Sequence, residues 1–296
     1  MEVSPSNSKT HNHARSNSLP SKPHPVILQC NEHLARLVGA SDSISSSKVL
    51  CHKLSGLQDL HNCVEKLIQL PLTQEALIQE QQEKWVNELL DGSLRLLDTC
   101  SATKDGLLHT KECIRELQSI IRRRRGGEVD QLAGEAKKFL TSRKVVRKAI
   151  IKALENLKSN ANKCSSSFSI TTNKDYQTAA SVNLLKEVEV ITFCIFESLL
   201  NFISGTQSKR CSWSLVSKLM VNSKKMSQEV DVENEFTKVD TALQFFAFNK
   251  SNDDINDLQR KLERLGSCIQ ELEEGLESLF RRLIKIRVAL LNILNH

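Results

Sequence analysis

Between Ile255 and Ile293 the apolar positions 255, 258, 262, 265, 269, 272, 276, 279, 283, 286, 290 and 293 alternate steps of three and four, and each is Ile or Leu. Such a repeat keeps one stripe of an α-helix turned toward a partner. Ser251, Asp253, Asp254 and Asp257 supply an N-cap and acids matched to the helix dipole in the first turn, so the spacing predicts one helix running nearly to His296. Its 39 patterned residues would span about 58 Å. The flanking positions hold Cys268, Gly275, Phe280, Ala289 and Leu294 instead of a charge ladder. Apolar flanks call for more than one neighbour, which puts the spine of an intramolecular bundle ahead of a homodimeric coiled coil and leaves the second open.

Upstream, the same helical period recurs. It predicts a short helix over 26–38, a Ser-rich connection at 41–47, and a helix over 49–70 with Leu50, Leu54, Leu57, Val64, Leu67 and Ile68 inward. Pro71 ends that helix; Thr73 is expected to cap the next, with Leu72 stapled onto Leu77. A long helical region from Gln74 carries Leu77, Ile78, Trp85, Leu89, Leu96, Leu97, Leu107, Ile114, Leu117 and Ile121, with kinks or a break expected at Gly92 and Gly106. Arg122, Arg123, Arg124 and Arg125, then Gly126 and Gly127, read as a helix stop. Over 129–157 Leu132, Ala136, Phe139, Leu140, Val146, Ile150 and Leu154 form one face, ringed by Arg143, Lys144, Arg147, Lys148 and Lys152.

The polar stretch 159–175 reads as a linker between two helical halves, 25–158 and 176–296, or within one domain. The most apolar helix follows, around Val188 to Ile203, and is the expected centre of the core. Glu187, Glu189 and Glu197 interrupt it, so it falls short of the roughly 20 apolar residues of a membrane span. Helices over 212–227 and 232–248 lead into the C-terminal spine. Residues 1–24 have almost no large apolar side chains and read as a disordered tail.

Composition agrees with an all-α chain: 296 residues contain only 5 Pro and 10 Gly. The 9 Cys include no CxxC pair and mostly fall inside helical apolar patterns, as buried reduced thiols would. Cys51, His52, His61 and Cys63 are the one crowding of metal-type ligands. On a continuous helix, however, the two cysteines lie about 18 Å apart, too far for one zinc ion. The chain has no phosphate-cradling glycine loop, nucleophile elbow or HExxH, and it lacks the aromatic and zinc signatures of sequence-specific nucleic-acid binding. A non-catalytic protein without cofactor is expected.

The net charge of +6 is concentrated: residues 122–152 hold eleven Lys or Arg against three acids. Arg122, Arg123, Arg124, Arg125, Arg143, Lys144, Arg147 and Lys148 are the candidates for an anionic membrane surface, a solvated helix face being the plainer alternative. The four arginines with Lys137 and Lys138 also fit a nuclear signal. In the tail, Arg15, Ser16, Ser18 and Pro20 form R-S-x-S-x-P, a pattern that 14-3-3 proteins take once Ser18 carries phosphate.

Several stretches carry a resemblance: HARSNSLPSKPHP at 13–25, LQDLHNCVEKLIQLPLTQEAL at 57–77, LLDGSLRLLDTCSATKDGLL at 89–108, LQSIIRRRRGGE at 117–128, WSLVSKLM at 213–220, NEFTKVDTALQ at 234–244, and CIQELEEGLESLFRRLIKIRVALLNILNH at 268–296. They resemble the plant-specific helical proteins related to the BYPASS proteins, over nearly the whole chain. The resemblance implies a role in root and shoot development, no established catalytic activity, and no active-site residues to carry over. The expectation is therefore an elongated multi-helix bundle acting as an interaction or scaffold protein. Its expected setting is cytoplasmic, with nuclear or membrane-peripheral placement left open.

Overall fold

The heptad-patterned stretch forms one continuous helix, and in the computed structural model it lies against several other helices of the same chain. The structure describes residues 23–39, 46–79, 84–123, 129–164, 176–206, 234–249 and 254–295. Among these residues all eight elements are α-helices: α1 (Pro25–Gly39), α2 (Ser47–Ile68), α3 (Pro71–Gln79), α4 (Lys84–Arg123), α5 (Val129–Cys164), α6 (Tyr176–Ser204), α7 (Glu235–Asn249) and α8 (Asp254–Leu294). The tail, the 212–227 helix and the Ser251 cap lie outside the described residues.

Helix α8 packs on α2, α4, α7 and α3. Eleven of the twelve seam positions are buried, from Ile255 to Leu290. The last departs from the pattern, because Leu294 is buried while Ile293 is only partly so. A straight helix of 3.6 residues per turn drifts by about 20° per heptad against a 3.5 repeat, so over five heptads the inward stripe moves to the next residue. The apolar flanks are used as well. Cys268 is buried, and Leu54 of α2 closes on Gly275.

Helix α6 is the second centre. All of residues 191–204 are buried, and α6 touches each of α1 to α5 and α7. Helices from both sides of the 165–175 stretch thus interleave: α5 packs on α6 and α7, and α2 and α4 on α8.

Three local expectations are corrected. Helix α3 begins at Pro71, whose fixed φ suits a first helical position, and the amides of Thr73 and Gln74 donate to the Leu70 carbonyl. Leu70 therefore occupies the cap position, Thr73 is buried inside the helix, and Leu72 stays 52% exposed instead of forming a staple. Of the long helical region the structure describes α3 and α4, and α4 runs unbroken through Gly92 and Gly106. Those glycines mark close approaches: a carboxylate oxygen of Glu189 on α6 occupies the place of a Cβ at Gly92, and Val146 and Ile150 of α5 close on Gly106. Finally, α5 continues to Cys164, into the stretch read as a linker.

Candidate functional site

The basic helix α5 has two chemically different faces. On the inner one, Arg143 is 2% exposed, which corrects its assignment to an anionic surface. Its guanidinium Nε and Nη2 donate to the Asp240 carboxylate at 3.2 and 3.3 Å, and Nη2 also donates to the Ile203 carbonyl at 2.8 Å. The guanidinium carbon lies 4.9 Å from the centre of the Phe236 ring, which meets Phe202 edge-on. Arg147 reaches the same carboxylate at 2.7 Å from a position one turn along. Burial draws Arg143 below the usual guanidinium value, and Asp240 opposes that shift.

The local sequence explains why these groups meet. Helix α6 ends in a Schellman turn: the amide of Gly205, at φ 71°, donates to the Phe202 carbonyl, and that of Thr206 to Asn201. The Ile203 carbonyl is left at the negative end of the helix dipole, where a cation is favoured, and Arg143 supplies it. Asn234 caps α7 by accepting from the Thr237 amide at 2.8 Å and donates to the Phe202 carbonyl at 2.9 Å. That brings the start of α7, and Asp240 in its second turn, to the end of α6. Inward cations on α5 were legible as charges but not as pairs, since Asp240 lies 97 residues away.

The outer face is exposed and carries Lys137, Lys144, Lys148 and Lys152. None of the four has an ion pair among the described residues. Beside them Val145 is 64% and Ile151 42% exposed. Lys144 and Lys148 therefore keep their place as surface cations, and Arg122 and Arg123 are exposed at the end of α4. Arg124 and Arg125, and the motif of Arg15, Ser16, Ser18 and Pro20, lie outside the described residues.

Two other clusters bear on chemistry. Where α4 faces α5, Ser142 Oγ lies 2.5 Å from His109 Nε2, with Cys113 Sγ donating to Ser142 at 3.4 Å. A Ser–His pair is half of a nucleophile arrangement, but acyl transfer also needs donors, often backbone amides, to hold an oxyanion. Ser142 stands mid-helix, where each amide is already bonded to the preceding turn. The geometry fits a polar clasp between the two helices.

The former metal-type group is dispersed. His61 is buried and meets the Thr192 hydroxyl at 3.1 Å, while that hydroxyl donates to the Val188 carbonyl. The imidazole therefore donates from Nε2, and burial, with Arg282 nearby, lowers it to about 4. Cys63 pairs with Cys30 of α1, Cys51 faces Glu271, and His52 is exposed. Burial pushes the Cys30, Cys100 and Cys268 thiols up to about 12, which makes them poor nucleophiles. Among the described residues no three His, Cys, Asp or Glu converge as metal ligands, and no helix is long and apolar enough to cross a membrane.

The described residues thus form an all-α bundle in which a buried ionic group ties α5 to α6 and α7, and in which Lys137, Lys144, Lys148 and Lys152 stand exposed on α5 without an ion pair among the described residues. The chain belongs to the family described as Protein BPS1, which matches residues 53–293 and so spans α2 to α8. No curated protein and no solved structure matches it.

Proposed function

We propose that the protein is a non-catalytic helical interaction protein of plant development, cytoplasmic in setting, and that the outer face of α5 receives an anionic partner. Family membership supports the developmental role. The observation that carries the molecular reading is the division of labour on α5. Its two arginines are held by Asp240, while Lys137, Lys144, Lys148 and Lys152 are exposed without an ion pair among the described residues. Clustered like charges repel one another, so a face that leaves them together is suited to an acidic neighbour.

The test is proximity labelling in root and shoot tissue with the tagged wild type and with Lys144→Glu/Lys148→Glu/Lys152→Glu. A set of neighbours that labels with wild type and is lost from the variant is the expected result. Identical labelling profiles at equal expression would exclude the α5 face as the contact surface.

A further inference from the structure

The chemistry of the anionic partner can be read from how the side chains are arrayed around α5. At about 100° per residue, Lys137, Lys144, Lys148 and Lys152 project within an arc of roughly 80°, and Val145 and Ile151 fall about 20° beyond its two edges. The four lysines cover about 22 Å along the axis. Asp130 and Glu155 project into the same arc and close the stripe at either end. Lysine thus occupies the crest of the helix, and the exposed apolar groups occupy its shoulders.

This order is the reverse of an inserting amphipathic helix, whose crest is apolar and whose lysines flank it. The choice of cation is equally informative. Planar, two-point recognition of a particular phosphate or carboxylate favours arginine, yet both arginines of α5 turn inward to Asp240. What remains outside are flexible point charges, which suit a field of anions with no fixed geometry. Arg122 and Arg123, at the end of α4 that leads into α5, add charge at one end.

We infer that the outer face of α5 adsorbs to the headgroups of an anionic lipid membrane, held by the lysine crest and without burial of the helix among the acyl chains. This inference rests on the reading of α5 as the contact face and names its partner. The negative surface potential of such a membrane falls off within a Debye length, so the contact is electrostatic and sensitive to salt.

The experiment is co-sedimentation of the full chain with vesicles of phosphatidylcholine containing about one third phosphatidylserine, beside pure phosphatidylcholine. Wild type should bind the mixed vesicles, ignore the neutral ones, and be released at about 0.5 M salt. Lys144→Glu/Lys148→Glu/Lys152→Glu should lower the bound fraction at least about tenfold with an unchanged melting curve. Should that variant fold poorly, the quadruple Lys137, Lys144, Lys148 and Lys152→Gln variant carries the same expectation at smaller perturbation. Equal binding by wild type and variant, binding that survives salt, or no binding by wild type each overturns the inference. If wild type ignores vesicles while the variant still loses its labelled neighbours in tissue, the partner is an acidic protein and only the lipid assignment falls.

Discussion

Glu189 is the residue most at odds with its surroundings. Its carboxylate lies over the backbone of Gly92, and a guanidinium nitrogen of Arg95 stands 3.9 Å away, too far for a hydrogen bond. Burial outweighs that cation and raises the group from 4.5 to about 8. Between those values the folded chain holds a proton that the unfolded chain has released, so Glu189 lowers stability progressively as pH rises from 4.5 to 8. Glu189→Gln should remove this loss: its melting temperature relative to wild type should climb steadily across pH 5 to 8, and a constant difference would contradict the assignment. Gly92→Ala should cost about 1–3 kcal/mol by chemical denaturation, because the new methyl must displace the carboxylate.

His61 acts on the acid side. Its folded value of about 4 lies below the ordinary 6.5, so the unfolded chain binds the proton first and stability falls as pH drops from 6.5 toward 4. The shift corresponds to roughly 3 kcal/mol at most. His61→Gln should keep a donor for Thr192 and flatten that acid limb in urea titrations; an equally steep limb would place the titration elsewhere.

At the scale of elements, the Arg143–Asp240 contact ties α5 to α7. Removing one member strands the other in a buried site, at about 3 kcal/mol each for Arg143→Met and Asp240→Leu. Because each single change already forfeits the same contact, the double variant should cost clearly less than the sum. Additive losses in a double-mutant cycle would show that the two residues do not act as a pair.

The elements themselves were largely legible, since the three-and-four spacing of apolar residues in α2, α5 and α8 reports the buried face directly, and α6 stands out by its continuous apolar run. What stayed hidden depended on partners far along the chain. Glycine reads as a weak point in isolation, yet Gly92 and Gly106 serve approaches by α6 and α5 within a regular helix. Threonine reads as polar, yet Thr103 and Thr110 are buried in α4 because their hydroxyls donate to carbonyls one turn back, at Thr99 and Gly106. Of the candidates on α5, Lys144 and Lys148 are exposed, whereas Arg143 and Arg147 turn to Asp240, which a charge count cannot see.

For the whole molecule, α8 and α6 divide the core between them, and α8 holds the helices that come early in the chain. Leu272, fully buried at the middle of the seam, is the place to test that role. Leu272→Asp should cost several kcal/mol, enough to abolish the cooperative melt followed by circular dichroism. Glu274→Lys, on the exposed side of the same helix, should shift it little. Comparable melts for the two would mean that the seam is not the bearing surface of the bundle. Glu273, beside Glu274 in sequence, would serve less well as a control, because it pairs with Lys111 of α4.

The packing of α2 against α8 also sets a timetable for biosynthesis. Gln58 of α2 donates to the Gly275 carbonyl across 217 residues. At about 5–20 residues per second, the greasy side of α2 leaves the ribosome roughly ten to forty seconds before its long-range cover is made. During that interval only neighbours already synthesised, or a chaperone, can shield it from nascent chains on the same polysome.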